Sequence, residues 1–271
     1  MNDPRTAVVT VAHGRHGHLT LQERALARTK PRADLRCVVA LDDPEIAGLV
    51  VDATVVECPA SPQGLPLARA RNLGALQALS AGADLLIFLD VDCLPGPLLI
   101  ARYLDAYRRM GEVLLAGPVT YLPPAADGYD LDNLAGMTAP HPARPAPAPG
   151  ALVTASDHDL FWSLSFAVSA PTWQQIGGFC EDYVGYGGED TDFAAIARSH
   201  GVPLVWVGGA HAYHQHHPVS DPPVEHVAAI VANARLFRQR WGRWPMEGWL
   251  DAFERRGLIR RSGGDISLVS P

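Results

Sequence analysis

The sequence predicts an α/β protein with a mainly parallel central sheet flanked by helices. Short apolar, often β-branched runs recur through its first half, and segments with apolar spacing near 3.6 separate them. Polar residues follow the ends of several of these runs, where open α/β sheets bind ligands. Together these features describe a doubly wound sheet, in which each parallel strand is reached by a helical crossover.

Taken in order, Ala7–Ala12, Cys37–Leu41, Thr54–Cys58 and Leu85–Leu89 are expected to be strands buried on both faces. Leu19–Arg28 and Leu65–Leu79 are the helices between them. Pro95-Gly96-Pro97 opens a helix to about Met110, and Val113–Val119 reads as a further strand. From Pro123 to Gly150 the pattern breaks. Pro alternates with Ala, Arg and His over Ala139–Gly150, which rules out a helix or an inner strand and predicts an extended or mobile connection, either a passive linker or a lid. Beyond it, Pro171–Ile176 is a short helix, Gly177–Gly188 a glycine-rich loop and Asp192–Ser199 a helix stopped by Gly201. Pro203–Val207 is a strand; a histidine-rich loop and a helix over about Val224–Arg240 follow.

At 271 residues and 48% apolar, the chain suits one domain with a large core. Its expected parts are a nucleotide-binding half (1–120), the Pro-rich connection (121–150), an acceptor and metal half (151–220) and a C-terminal helical extension (221–271). A net charge of −7 argues against a broad nucleic-acid-binding face, so no nucleic-acid partner is expected. Met1–Val11 lacks the apolar core of a signal peptide, and no run approaches the roughly 20 apolar residues of a membrane span. Cys37, Cys58, Cys93 and Cys180 are scattered without metal-site spacing, as buried thiols in a reducing compartment would be. The expected location is therefore cytoplasmic; peripheral contact with a membrane surface is left open.

Three polar clusters follow the strand ends: His13-Gly14-Arg15-His16, Asp42-Asp43 and Asp90-Val91-Asp92. Carboxylates are hard oxygen ligands suited to Mn2+ or Mg2+, although Asp is also favoured in an ordinary strand-to-helix turn. Glu189 and Asp190 follow two glycines at the start of a helical run. They serve there equally as a helix cap or as a catalytic pair. His211, His214, His216 and His217 lie within seven residues, and a neutral imidazole can complete an Asp-based metal site.

Read together, these pieces resemble the GT-A (Rossmann-like nucleotide-diphospho-sugar transferase) fold. The similarity is to inverting, family-two-like glycosyltransferases, specifically those related to beta-1,4-galactosyltransferases and bacterial chondroitin polymerases. It runs from Val8 to about Pro218 and is strongest over Phe166-Ala167-Val168-Ser169, Ile176-Gly177-Gly178-Phe179 and Tyr186-Gly187-Gly188-Glu189-Asp190. Leu67-Ala68-Arg69-Ala70-Arg71-Asn72-Leu73-Gly74 is similar to the helix that precedes the Asp-X-Asp strand in such enzymes. Gly14-Arg15 to His18-Leu19 resembles a uridine-contacting stretch, and Ala212-Tyr213-His214-Gln215 a segment that supplies a metal-binding His.

The resemblance implies a metal-dependent transfer of sugar, with inversion, from a nucleotide diphosphate donor, by preference a UDP-sugar, to an acceptor hydroxyl. It assigns Asp92, with Asp90 and His214, to Mn2+ or Mg2+. Asp190 becomes the general base and Glu189 the acceptor-orienting residue. Val11, Ala12, His13, Arg15, Asp42, Arg71, Asp90, Val91 and Asp92 would surround the donor. The sequence departs from the family in two places. Tyr186 stands where a Trp is usual, and Thr191 interrupts a run of three acids. The Trp-rich stretch Trp241–Trp249 lies beyond the similarity and is expected to serve packing or an interface more than an acceptor. Two rival readings are a nucleotidyltransferase acting on sugar phosphates and a catalytically silent sugar-binding module.

Overall fold

The computed structural model describes residues 3–125 and 128–269. Met1 and Asn2 of the N-terminal stretch, residues 126–127 of the connection and residues 270–271 of the C-terminal extension lie outside it. The first half alternates as expected: β1 (Thr6–Ala12), α1 (His16–Leu26), β2 (Leu35–Leu41), β3 (Thr54–Cys58), α2 (Leu67–Ser80) and β4 (Leu85–Leu89). Then come β5 (Cys93–Pro95), α3 (Leu99–Met110), β6 (Leu114–Ala116), β7 (Val119–Tyr121), β8 (Leu152–Thr154), β9 (Ser165–Ser169), α4 (Ala170–Ile176) and α5 (Glu189–Ser199). The chain ends with β10 (Leu204–Val207), β11 (Ala212–His214), α6 (Val227–Trp241), α7 (Glu247–Arg255), β12 (Ile259–Ser262) and β13 (Asp265–Leu268).

Eight strands form the central sheet in the order β3-β2-β1-β4-β9-β6-β10-β8. The pairs β3–β2, β2–β1, β1–β4 and β6–β10 are parallel. Strand β9 runs antiparallel to both β4 and β6, and β8 closes the edge antiparallel to β10. Residues 166–169, read from sequence only as a motif of small residues, thus form a central strand. Its all-apolar neighbours β4 and β6 explain why it is buried on both faces.

Packed on this sheet is an aromatic core. Phe88 stacks on Phe166 at 4.5 Å between ring centroids and Phe179 on Phe193 at 4.3 Å, with Trp173 against both Phe88 and Phe193. This core fastens the Gly177–Phe179 turn and α5 to the strand that precedes Asp90.

The single strand expected over Val113–Val119 is two. Leu114–Ala116 joins the main sheet, whereas Val119–Tyr121 joins a three-stranded sheet, β5-β11-β7. Gly117-Pro118 makes the break. A Cβ at Gly117 would overlap the carbonyl of Ala210, and Pro118 has no N–H to continue a ladder.

The Pro-rich connection is extended, as predicted, but it is pinned rather than free. His141 N donates to Val119 O (2.8 Å), Gly150 N to Gly208 O (2.9 Å) and Arg109 to Gly150 O (3.0 Å). Arg144 is buried, with its guanidinium 5.1 Å from the Trp162 ring centroid and 5.0 Å from that of Trp206. Prolines fix the backbone here without requiring a partner for the missing N–H, so few contacts hold the segment.

The C-terminal extension is not wholly helical. After α6 and α7 it ends in the antiparallel hairpin β12–β13, whose Ile259 and Ile266 complete a small core with Ile230, Val231, Leu250 and Phe253. Among the described residues no helix is long and apolar enough to cross a membrane.

Candidate active site

The residues singled out in the sequence meet at the carboxyl ends of β1, β2 and β4. Asp90, Val91 and Asp92 form the turn between β4 and β5. Cys93 N donates to Asp90 O (2.8 Å), and the buried Gln22 amide of α1 donates to the carbonyls of Asp90 (2.7 Å) and Cys93 (2.8 Å). The turn is therefore held by a side chain 68 residues away in sequence.

The small sheet decides what faces Asp92. Antiparallel pairing of β5 with β11 sets His214 opposite Cys93, and Gln215 N donates to Asp92 O at 2.7 Å. In consequence His214 Nε2 lies 3.5 Å from Asp92 Oδ1, and His217 Nε2 lies 3.5 Å from Asp92 Oδ2. Ligand atoms of Asp92, His214 and His217 all fall within 4.8 Å of one another, a grouping that could hold a metal ion. Among the described residues, Asp92 Oδ1 is buried without a hydrogen-bond partner, as suits a metal-ligating oxygen. Burial alone would raise the Asp92 carboxyl. A hydrogen bond from His217 and the positive charge of Arg15 are among the influences that outweigh it and hold the group below the usual aspartate range, so it is an anion at neutral pH. Burial pushes His214 down, which leaves it neutral and able to ligate.

Asp90, expected beside Asp92 as a ligand, stands outside this grouping. Its carboxylate lies 3.2 Å from Arg71 Nη2. The other histidines separate just as clearly. His211 Nε2 is 2.7 Å from Thr120 Oγ1 in the interior, and burial lowers its titration to about 4. His216 is exposed. His217, named in the sequence only as one of four clustered histidines and not assigned to the metal, joins the grouping; the density of histidines after β10 was its sequence signal, because the fold that brings it to Asp92 is tertiary.

Arg71, expected near the base and ribose, bridges the two acidic elements. Its Nη1 lies 3.1 Å from Glu189 Oε1, opposite the contact to Asp90. The next residue, Asn72, clasps the Gly178-Phe179 turn by bonds to Phe179 N and O (both 2.9 Å). Glu189 and Asp190 open α5, where exposed amide groups and the helix dipole favour carboxylates. Gly187 and Gly188 take φ of 88° and 95°, backbone that a side chain would strain, which brings the chain into α5 without a capping side chain. Burial, and then the neighbouring charge of Glu189, raise the Asp190 carboxyl to about 7. Burial raises Asp90 to about 6 against the pull of Arg71.

On the opposite side, His13 Nδ1 lies 2.7 Å from Leu41 O, and Arg15 Nη1 lies 3.6 Å from Asp92 Oδ2. Asp42 is exposed at φ 50°, whereas the carboxylate of Asp43 is engaged by Gly14 N and His16 Nε2, each at 2.8 Å. Asp43 thus shapes this edge and Asp42 faces solvent. The side chains of Ala12 and Val91 are spent in one apolar cluster, and that of Val11 packs against another, so only their backbones border the site.

The likeness to solved structures fixes the architecture. The chain superposes on GalNAc-T7, crystallised with UDP, GalNAc and Mn2+, with a TM-score of 0.57 at 13% identity, covering 94% of this chain and 57% of that one. It superposes equally well, at 0.57 and 13% identity, on S. aureus TarS residues 1–349, covering 85% and 64%. The chain has the GT-A glycosyltransferase fold. Within that GT-A scaffold, the family described as the N-terminal domain of galactosyltransferase matches residues 155–218, the stretch from β9 through β11 to His217. Validoxylamine A glucosyltransferases of two Streptomyces hygroscopicus subspecies, jinggangensis and limoneus, are each 32% identical over 165 residues. These alignments cover 52% of this chain and 37% and 34% of the relatives, so the chain spans about a third of their length.

Proposed function

We propose that this chain is a metal-dependent, inverting glycosyltransferase that moves a sugar from a UDP-sugar to an acceptor hydroxyl. One observation carries the proposal. A cluster able to hold a metal (Asp92, His214, His217) and a carboxylate titrating near neutrality (Asp190) share one sheet edge, linked through Asp90, Arg71 and Glu189. The GalNAc-T7 structure with UDP and Mn2+ and the glucosyltransferase relatives support the donor class.

Asp92, His214 and His217 would hold the ion. Two imidazoles and one carboxylate suit Mn2+ better than Mg2+, which prefers oxygen ligands. When bound, the ion supplies Lewis-acid neutralisation of charge on the departing diphosphate. The protein's own part is the proton. An acceptor hydroxyl oxygen bonds to the anomeric carbon as the bond from that carbon to phosphate oxygen breaks. The hydroxyl proton passes to Asp190, and UDP leaves with the electron pair. A base titrating at about 7 is half ionised at neutral pH and still accepts a proton readily. Glu189, fixed by Arg71, orients the hydroxyl. Arg15 supplies positive charge beside Asp92, and His13 and Asp42 border the space for the nucleoside. Four unpaired cysteines accord with a cytoplasmic setting.

Calorimetric titration with UDP, with and without Mn2+, tests the donor half. Wild-type protein is expected to bind UDP only with the ion, and Asp92→Ala to lose that binding. Equal binding by both proteins in the absence of Mn2+ would remove the metal site from the proposal.

A further inference from the structure

The two acids at the start of α5 have no capping side chain, yet their position is closely determined, and the determinants lie beyond the family-matched stretch. The buried side-chain amide nitrogen of Asn233, in the middle of α6, lies 2.8, 3.1 and 3.4 Å from the carbonyls of Gly187, Val184 and Tyr186. Helix α6 meets the loop backbone directly: a Cβ at Gly185 would come within 2.8 Å of the Ala229 methyl group.

At its far end α6 grips α5 itself. Asp192, fully buried one turn into α5, accepts hydrogen bonds from Arg240 Nε (2.7 Å), Trp241 Nε1 (2.7 Å) and Tyr183 Oη (3.2 Å). A buried carboxylate is tolerated only when it is bonded in this way, so the geometry is strongly enforced. Glu189 and Asp190 lie between these two grips, two residues after Gly187 and two before Asp192 respectively.

We infer that Asn233, Arg240 and Trp241 are positioning residues that set the Glu189–Asp190 pair from outside the site, through the loop carbonyls and through Asp192. The inference rests on the function proposed above for what the pair does, but not for where it sits. It also gives a role to the interrupted acidic run. Asp192 is not a third acid of the site; it is the anchor by which the C-terminal helix holds the first two.

Two variants of the full chain test this. Trp241→Phe keeps an aromatic ring but removes the pyrrole ring with its N–H, and Asn233→Leu keeps the branching of the side chain and removes the amide. In both, amide exchange over residues 184–192 is expected to accelerate about tenfold or more, with β1 and β4 unchanged. The Asp190 carboxyl, followed by carbon-13 NMR, is expected to titrate about one unit or more lower as water reaches it. UDP affinity with Mn2+ should stay within about twofold of wild type, since the metal cluster is not touched. Arg240→Lys, which keeps the charge, is expected to retain most of the wild-type behaviour. Wild-type exchange and titration in Trp241→Phe and Asn233→Leu would overturn the inference, and so would loss of protection spread evenly over the whole sheet. Failure of the wild-type protein to bind UDP would count against the proposed function alone, leaving this result readable.

Discussion

If Asp190 is the base proposed above, a single carboxyl links the pH dependence of stability to that of turnover. Held near 7 by burial and Glu189, it binds its proton more tightly in the folded chain than in the unfolded chain, where aspartate titrates at about 3.9. The group's contribution is therefore fully present below about pH 4 and is lost as pH rises through about 7. Asp190→Asn removes that loss. Its thermal stability should match wild type near pH 4 and exceed it by a growing margin up to pH 8, in melts recorded across that range. Transfer runs the other way. The wild-type rate is expected to rise through pH 7 as the base ionises, and Asn should lower it on the order of 10²-fold or more while UDP affinity holds. Normal turnover by Asp190→Asn would reduce the residue to a helix-terminal acid. At the metal cluster, His217→Ala should weaken Mn2+-dependent UDP binding and His216→Ala should not, which calorimetry on the two variants decides.

Among the elements, the switch from β6 to β7 is the most exacting. Gly117 lies where the chain leaves the main sheet, and any Cβ there meets the Ala210 carbonyl. Gly117→Ala is expected to cost about 1–3 kcal/mol by overpacking and to weaken UDP binding with Mn2+, because β7 and β5 together set the register of β11. Denaturant melts and titrations would check both effects; an unchanged midpoint would show that the corner relaxes freely. The Pro-rich connection makes a contrasting case. Among the described residues, Arg144 has three buried nitrogens without a hydrogen-bond partner, and the faces of Trp162 and Trp206 lie against its guanidinium. Burying an unpaired charge is costly, so Arg144→Met should melt no lower than wild type. A fall of several degrees would instead credit the two indole faces with full compensation. Because Arg144 is buried, trypsin should cleave there slowly with or without donor.

For the whole molecule, fold and ligand binding should separate. The apolar cores are built from the sheet, its helices and the C-terminal hairpin, whereas the candidate metal ligands Asp92, His214 and His217 are polar side chains at the end of the sheet. Chelation should accordingly leave the melting temperature of the ligand-free protein unchanged. UDP with Mn2+ at one hundred times its Kd should add about 2.7 kcal/mol by mass action, read as a rise in melting temperature that UDP alone does not give. A large fall in melting temperature on chelation would make the ion structural.

The sequence by itself determined the alternating elements of the first half, since apolar runs and helical spacing are local and survive any arrangement of the chain. It also marked Asp92, His214, Glu189 and Asp190, because carboxylates and imidazoles clustered beside glycines at element ends are legible residue by residue. Tertiary structure decided which of them work together. Asp90 and Asp92 are two residues apart, yet one turns to Arg71 and the other to His214 and His217, a choice made by the β5–β11 register and by Gln22. Asp192 is an acid like its neighbours in sequence, and only the approach of α6 makes it an anchor. Strand β9 and the split of β6 from β7 were likewise hidden, since a run of small or apolar residues does not state which sheet will pair with it. Local pattern fixes what a segment can be; hydrogen-bond pairing and burial between distant segments fix what its side chains face.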